Sequence, residues 1–473
     1  MTRPPPILGA LMAVGLLLAV TWAATLPAFQ APDEQSHFNY VQTLAERQEL
    51  PGDPDREFFS SQVSEAIAAV NSDQVAAQRE VRPEWSDRNE DAWAAVQDQA
   101  PRDDGGGIGP AYDYPPTGYI WQALGYVAAS GGTMFDTLLG ARLMSALWVP
   151  VTILATWLLA GEVFGRRPVL QATAAAVPAL APMFTFVSAS VSPDGMLYAV
   201  WALALWVGVR AVRRGVPVRE GVAFFALVAL ACTIKNTSFA LLVPAVFVAA
   251  VALWARRPWS VRALVTLGAA VAIPIGAVVV LWVAAGRSPE GQLSAVTGGD
   301  TNWRELGSYL WQYYLPKLPF LQEYRIPQGG YPLLQVWITQ GWAAFGWLEV
   351  KFPPWTYRVL GILTIGVIVA GFAALIRARH RLDLRVVGFL ALTCATLLAG
   401  LHWTDYHQLE DGAKGFMQAR YLFPVIGVLG LALAGAVSLL PRSRQAPAAG
   451  AATAGLFVFH LLALGLVLER FYA

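Results

Sequence analysis

Apolar runs of about 20 residues, the length at which an α-helix crosses a bilayer, recur along this chain and set its fold class. The first, near 7–27, reads ILGALMAVGLLLAVTWAATL and is followed by FQAPDEQSHFNYV at 29–41. Further runs lie near 139–164, 168–190, 195–212, 220–234, 238–255, 263–285, 357–377, 386–403, 421–440 and 450–469, so about eleven spans are expected. Only KNTS separates 220–234 from 238–255, and the two read equally well as one broken helix. Charged residues make up 14% of the chain, against about 25% in soluble domains. The expected fold is an all-α polytopic membrane protein, a single unit over 1–473. Arg3 ahead of the first run gives it the look of a signal peptide. In a chain that is membrane throughout, a retained anchor is the reading.

Arginine gives an orientation. GRRP at 165–168, RAVRRGVPVR at 210–219, RRPWSVR at 256–262, RARHRLDLR at 377–385 and PRSR at 441–444 fall on alternate connections. Those sides should be cytoplasmic. The long segments 28–138 and 286–356 and the shorter 404–420 then face outward, and so does the pair Asp33 and Glu34. The four lysines, at 235, 317, 351 and 414, all fall on that outer side. The net charge of +1 averages two opposite faces, and no nucleic-acid partner is expected.

The first outer segment is acidic: residues 31–113 hold 18 Asp or Glu and 6 Arg. Most of these acids read as a solvated cap. The part from about 60 to 100 has helix-forming composition, ended by the glycines of DDGGGIG. YDYPPTGYIWQALGYVAASGG at 112–132 is apolar but short and rich in Tyr and Trp, which suits a helix lying in the interface. Cys232 and Cys394 both lie inside expected spans, so no disulfide framework is indicated. CxxC, HExxH, Walker and strand-linked GxGxxG motifs are lacking, which points to a lipid-borne donor rather than a cytosolic nucleotide.

Each short outer turn carries charge near membrane depth. Asp33, Glu34 and His37 follow the first span, Asp194 lies in SASVSPDGMLY, and Lys235 and Asn236 lie in CTIKNTSF. His402, Asp405 and His407 cluster in LHWTDYHQLED, and Arg420 and Tyr421 lie in FMQARYLFP. Ionisable groups at such depth are costly and point to function. Plainer readings stand beside this one. Asp194 suits a helix cap, Arg142 and Arg420 suit snorkelling anchors at helix ends, and His37 suits a structural role.

Transfer of a sugar from a polyprenyl phosphate uses carboxylates and cations together at a membrane face. A carboxylate takes the proton of the attacking hydroxyl, and fixed cations stabilise the departing phosphate. Aromatic residues of NWRELGSYLWQYYLPKLPFLQEY at 302–324 suit stacking on sugars, or equally an interfacial element.

PDEQSHF, YPPTGY, SPDGMLYA, the lysine of TIKNTS and ARYLFP resemble motifs of bacterial membrane proteins in the family called domain of unknown function 2142. More broadly, the chain resembles the integral-membrane glycosyltransferases of the GT-C fold. The resemblance covers roughly 1–430. It implies a multi-pass protein of the bacterial cell membrane with its site facing outward. It also implies a polyprenyl-phosphate-linked sugar donor, and a glycan or lipid acceptor on the outer leaflet or cell wall. By it, Asp33 is the base, Glu34 a base partner or metal ligand, and Lys235 and Arg420 phosphate contacts. His37, Tyr114, Asp194, Asn236, His402 and Tyr421 complete the expected substrate site. Tyr114 stands where many relatives of this fold carry His. A divalent ion such as Mg or Mn, held by Asp33 and Glu34, is compatible with the resemblance but not required by it. The rival readings are a surface-glycan polymerase, a lipid-linked glycan flippase or transporter, and a purely structural assembly protein. Convergence of Asp33, Asp194, Lys235 and Arg420 in one outer site separates a transferase from a transporter, which needs a central two-sided path.

Overall fold

A computed structural model describes residues 5–76, 91, 93, 94, 100–255, 261–284, 301–321, 331–412 and 415–473. About half of the expected helical stretch 60–100, part of the 286–356 segment, position 90 and Lys414 lie outside the described residues, while Ser61–Ala69 and Ser72–Val75 within that stretch are helical.

The apolar runs fold as helices because a backbone in lipid must satisfy its own hydrogen bonds, and polar helices such as Glu34–Arg47 join them. In chain order they are α1 (Pro6–Thr25), α2 (Glu34–Arg47), α3 (Thr117–Ala128), α4 (Met134–Ala146), α5 (Trp148–Phe164), α6 (Pro168–Leu180), α7 (Pro182–Ser188) and α8 (Asp194–Arg213). They continue as α9 (Val218–Cys232), α10 (Leu242–Ala255), α11 (Val261–Ala284), α12 (Trp303–Tyr314), α13 (Pro354–Arg377), α14 (Leu384–Glu410), α15 (Ile426–Ser438) and α16 (Arg442–Tyr472). Short 3-10 helices, Asn236–Leu241 and Ala419–Val425, lead into α10 and α15. A two-residue antiparallel hairpin, Ala344–Phe345 (β1) with Val350–Lys351 (β2), pairs Ala344 with Lys351.

Among the described residues, eight helices are long and apolar enough to cross a membrane, or nine if α6 and α7, bent by 58°, form one span. The expected count of eleven is not reached. The run expected at 220–234 is the 15-residue α9, about 22 Å long at about 1.5 Å per residue and short of a hydrocarbon core of about 30 Å. The run expected at 263–285 falls in α11, whose side chains are described only in part. The stretch expected to lie in the interface is α3, 12 residues long and too short to cross.

The α6–α7 break has a local cause. Pro182 has no N–H to continue the ladder, and the chain turns at Ala181. The imidazole of His460, on α16, meets the carbonyl of Leu180 at 3.1 Å. The Trp22 indole N–H donates to the other imidazole nitrogen at 2.9 Å. Nδ1 of His460 is therefore the nitrogen that carries the proton. Close helix crossings rely on glycine: a Cβ on Gly125 of α3 would fall 2.2 Å from the carbonyl oxygen of Gly140 on α4.

Two cores result. The larger runs through the helical bundle, around Trp22, Phe184, Phe186 and Trp201. The smaller lies under the first long connection, where Phe29, Phe38, Tyr40, Tyr119 and Tyr126 pack together. The candidate site lies where the loop after α1 leaves the first core for the second. The helix α8 starts at Asp194 and ends in Arg210 and Arg213, so the site and this arginine cluster occupy opposite ends of the bundle.

Candidate functional site

Asp33 ends the loop after α1 and stands at the N-cap of α2 in a left-handed backbone conformation, φ 63°. Its carboxylate caps nothing. It instead accepts from Arg420 Nη2 at 2.6 Å. Arg420 is buried, and its Nη1 also reaches the Pro32 carbonyl at 3.5 Å. Asp33 is the open member of the pair, with its side chain 42% exposed.

The helix-cap reading of Asp194 fails on geometry. Asp194 is the first residue of α8, and its Oδ1 accepts from Lys235 Nζ at 2.7 Å with both side chains buried. Lys235 precedes the 3-10 helix Asn236–Leu241 in extended backbone. Its ammonium lies 5.5 Å from the Tyr114 ring centre and 5.2 Å from that of Tyr421, within cation–π range. The Tyr421 ring is also 5.4 Å from the Arg420 guanidinium carbon. Tyr198 sits one helical turn after Asp194 and donates to the Arg420 carbonyl at 2.9 Å. That bond ties the start of α8 to the segment carrying Arg420. Asn236 is half-buried beside Lys235.

His37 lies on α2, one turn from Asp33, and shares a 2.8 Å hydrogen bond with the Tyr119 hydroxyl through Nδ1. Its ring is 5.8 Å from that of Tyr114. Burial pushes its imidazole down to about 4, against the pull of Asp33, so His37 is neutral at pH 7. Burial alone would raise the Asp33 carboxyl, but the charged Arg420 and Lys235 outweigh it and hold Asp33 below its usual range. Burial would likewise lower Lys235, yet Asp194, Tyr114 and Tyr421 lift it to about 12. Asp33, His37, Tyr114, Asp194, Lys235, Arg420 and Tyr421 therefore form one electrostatic group.

Two atoms of the group are left over. Among the described residues, Asp194 Oδ2 and Arg420 Nε are buried and make no hydrogen bond. Buried polar atoms of native proteins are nearly always partnered, so each is open to a ligand: one accepts, the other donates.

Glu34 differs from its expected role. It is fully buried and turned from Asp33 to Arg142, whose Nε and Nη2 reach its two oxygens at 2.8 and 2.5 Å. The two neighbouring side-chain carboxylates diverge because successive residues at a helix start project to different faces. Arg142, for which a snorkelling anchor is one reading of the sequence, is likewise buried, 4% exposed. The Asp33–Glu34 metal site does not fit this geometry, since each carboxylate contacts a different guanidinium. Among the described residues, no three His, Cys, Asp or Glu side chains gather as metal ligands.

His402 belongs to a different network. Its Nδ1 meets Tyr309 at 3.0 Å and its Nε2 meets Tyr314 at 2.6 Å, while Tyr309 donates to Asp405 Oδ2 at 2.7 Å. Asp405 Oδ1 also accepts from the Met417 amide at 3.2 Å, three residues before Arg420. This network braces the segment that delivers Arg420. His407 hydrogen-bonds Thr301 at 3.1 Å. The aromatic stretch after 302 is split: Tyr309 and Tyr313 are buried, whereas Trp303 is exposed, and 322–324 lie outside the described residues. Tyr119 and Tyr198 were not anticipated. The spacing of Tyr198 four residues after Asp194 was a usable signal, but nothing local pairs Tyr119 with His37.

A sequence profile described as "Predicted membrane protein (DUF2142)" matches residues 16–429. No curated protein matches the sequence. Among solved structures, the fold is similar to the Archaeoglobus fulgidus oligosaccharyltransferase AglB, in complex with an inhibitory peptide and a dolichol-phosphate. The TM-score is 0.52 at 12% identity, over 97% of this chain and 56% of that one. This chain thus spans little more than half the length of that enzyme. It is also similar to apo ArnT from Cupriavidus metallidurans, with TM-score 0.50 at 14% identity over 98% and 76% of the two chains. Both have the GT-C fold, and the architecture here is GT-C-like.

Proposed function

Since this chain belongs to the DUF2142 family of predicted membrane proteins, and its fold is GT-C-like, we propose that it is a membrane glycosyltransferase. It moves a sugar from a polyprenyl-phosphate donor to a glycan or lipid acceptor on the outer leaflet or cell wall. The protein sits in the bacterial cell membrane with the site facing outward, the side opposite the arginine-rich connections. The observation that carries this reading is the pair of open valences, Arg420 Nε and Asp194 Oδ2, inside a cluster of two carboxylates and two cations. A phosphate oxygen satisfies the first and a sugar hydroxyl the second. The dolichol-phosphate in the archaeal structure supports a lipid phosphate as the ligand class.

In this reading the donor phosphate enters between Lys235 and Arg420 and draws Arg420 away from Asp33. Asp33 then accepts the proton of the acceptor hydroxyl while that oxygen bonds to the anomeric carbon. The bond from that carbon to the phosphate oxygen breaks, and its electron pair leaves with the polyprenyl phosphate. Lys235 and Arg420 stabilise the charge that develops on the leaving phosphate. Neutral His37 orients nearby groups without competing for the proton. No step requires a metal from these residues.

The test is incubation of the purified protein in lipid with a panel of polyprenyl-phosphate sugars and acceptor extracts. The expected result is release of free polyprenyl phosphate with at least one donor, abolished by Arg420→Ala. Donor turnover equal in wild type and Arg420→Ala, or none with any donor, rejects the reading.

A further inference from the structure

We propose that Arg142 and Glu34 are positioning residues that weld the loop carrying Asp33 and the turn carrying Asp194 into one rigid unit. Arg142 lies on α4, 108 residues from Glu34, and its hydrogen bonds go to neither the Asp33 nor the Asp194 carboxylate. All five of its N–H groups are engaged. Nε and one Nη2 hydrogen go to Glu34; the other Nη2 hydrogen goes to the Pro27 carbonyl at 3.0 Å. Nη1 donates to the carbonyls of Ala23 at 3.1 Å and Leu26 at 2.6 Å. Those two carbonyls belong to the last turn of α1 and its C-cap, where carbonyls lack helical partners.

Glu34 extends the weld. Its Oε1 accepts the Val191 amide at 3.1 Å, in the turn that reaches Asp194 three residues later. The guanidinium and carboxylate therefore join four pieces of chain: the end of α1, the loop to Asp33, helix α4 and the Asp194 turn. The loop needs such support. Phe29 and Asp33 both hold positive φ, 62° and 63°, a conformation that costs non-glycine residues energy and persists when surroundings over-determine it. Trp347 pins the same loop by donating to the Phe29 carbonyl at 3.1 Å.

A buried ion pair is weak evidence of stabilisation, because desolvation offsets attraction. Its five-donor geometry explains the residue better. Only a guanidinium presents that planar fork; lysine keeps the charge and loses the carbonyl contacts. The consequence for the proposed transferase is specific. The distance between the two carboxylates is set by Arg142, while the donor phosphate is gripped by Lys235 and Arg420. Disturbing Arg142 or Glu34 should lower turnover and spare donor affinity. This part rests on the transferase reading.

The experiment uses the full chain in lipid nanodiscs and two readouts, amide hydrogen exchange and donor turnover, for Arg142→Lys, Glu34→Gln and Glu34→Asp. The last keeps the charge and only shortens the reach, so it preserves the fold if the others do not. The expected result is faster exchange of both 29–36 and 188–194 together, by about tenfold or more, with 303–314 unchanged. Turnover should fall by about 10 to 100-fold, the scale of an ångström-level misplacement, with donor affinity within about threefold. Acceleration of one loop without the other, or of neither, overturns the weld. Coupled acceleration with normal turnover overturns the positioning role. Coupled acceleration in a protein whose wild type releases no polyprenyl phosphate keeps the weld and rejects the transferase reading instead.

Discussion

Asp33 holds its carboxylate toward Arg420 because the left-handed backbone at this residue turns it away from the cap position it would otherwise fill. Asparagine tolerates that conformation well, so Asp33→Asn should fold and insert. Its turnover should drop by about two or more orders of magnitude, the usual scale for a lost general base, and near-normal turnover would remove Asp33 from the role. The pH dependence sharpens this test. In the free protein Arg420 and Lys235 hold Asp33 below its usual value, so the acid limb of kcat/KM should lie below the ordinary carboxylate range. A bound donor phosphate shares Arg420 and adds negative charge, which raises the Asp33 pKa. The acid limb of kcat should therefore sit at higher pH than that of kcat/KM, and coincident limbs contradict displacement of Asp33 by the donor. The cations give a third prediction. Arg420→Lys loses the forked contact and should impair donor use, whereas Lys235→Arg keeps a charge in place. Losses in Lys235→Ala and Arg420→Ala should combine less than additively in the double variant, because both act on one phosphate. Full additivity with unchanged donor affinity marks two unrelated anchors.

At the scale of elements, the site depends on how tightly the turn before α8 packs. A Cβ on Gly195 would lie 2.9 Å from the Ser188 carbonyl oxygen and 3.3 Å from that of Ser145. Gln122 donates to the Ser192 carbonyl from the neighbouring α3. Gly195→Ala must therefore move the start of α8, and with it Asp194 and the Lys235 contact. Its expected signature is a loss of turnover at least as large as that of Asp194→Asn, with α8 still helical by circular dichroism. Wild-type activity in Gly195→Ala would mean that the turn has slack. The 3-10 helix Ala419–Val425 shows the same dependence from the other side. Asp405 holds the Met417 amide and Gln340 accepts the Ala419 amide at 3.3 Å, so a network outside the site fixes where Arg420 stands.

Across the whole molecule, the helices give the site one end of the bundle and the arginine clusters the other. Arg210, Arg213 and Arg214 meet Glu162 and Glu220 at that far end. If the positive side is cytoplasmic, a cysteine placed at exposed position 103 should be labelled by an impermeant reagent from outside intact cells. One placed at exposed position 379 should be protected until the membrane is opened. The reverse pattern would place the site on the cytoplasmic side and reject an outer-leaflet acceptor. Cys232 is buried, which limits background labelling.

The sequence by itself determined the class of fold, because long apolar runs in a bilayer admit little except helices, and it located most spans to within a few residues. It also singled out Asp33, Asp194, Lys235 and Arg420, which the structure joins in two ion pairs, since charge beside apolar runs is expensive and visible without coordinates. It did not show where α9 ends, because hydropathy sees composition and not where a helix stops. It did not foresee that Glu34 pairs with Arg142. Two adjacent acids look alike in one dimension, but the helix start sends Asp33 to a residue 387 positions on and Glu34 to one 108 positions on. Which carboxylate stays partly open and which is fully buried against a guanidinium is a matter of direction and partner. Only the tertiary packing, which brings α4, α8 and the Arg420 segment around one loop, decides it.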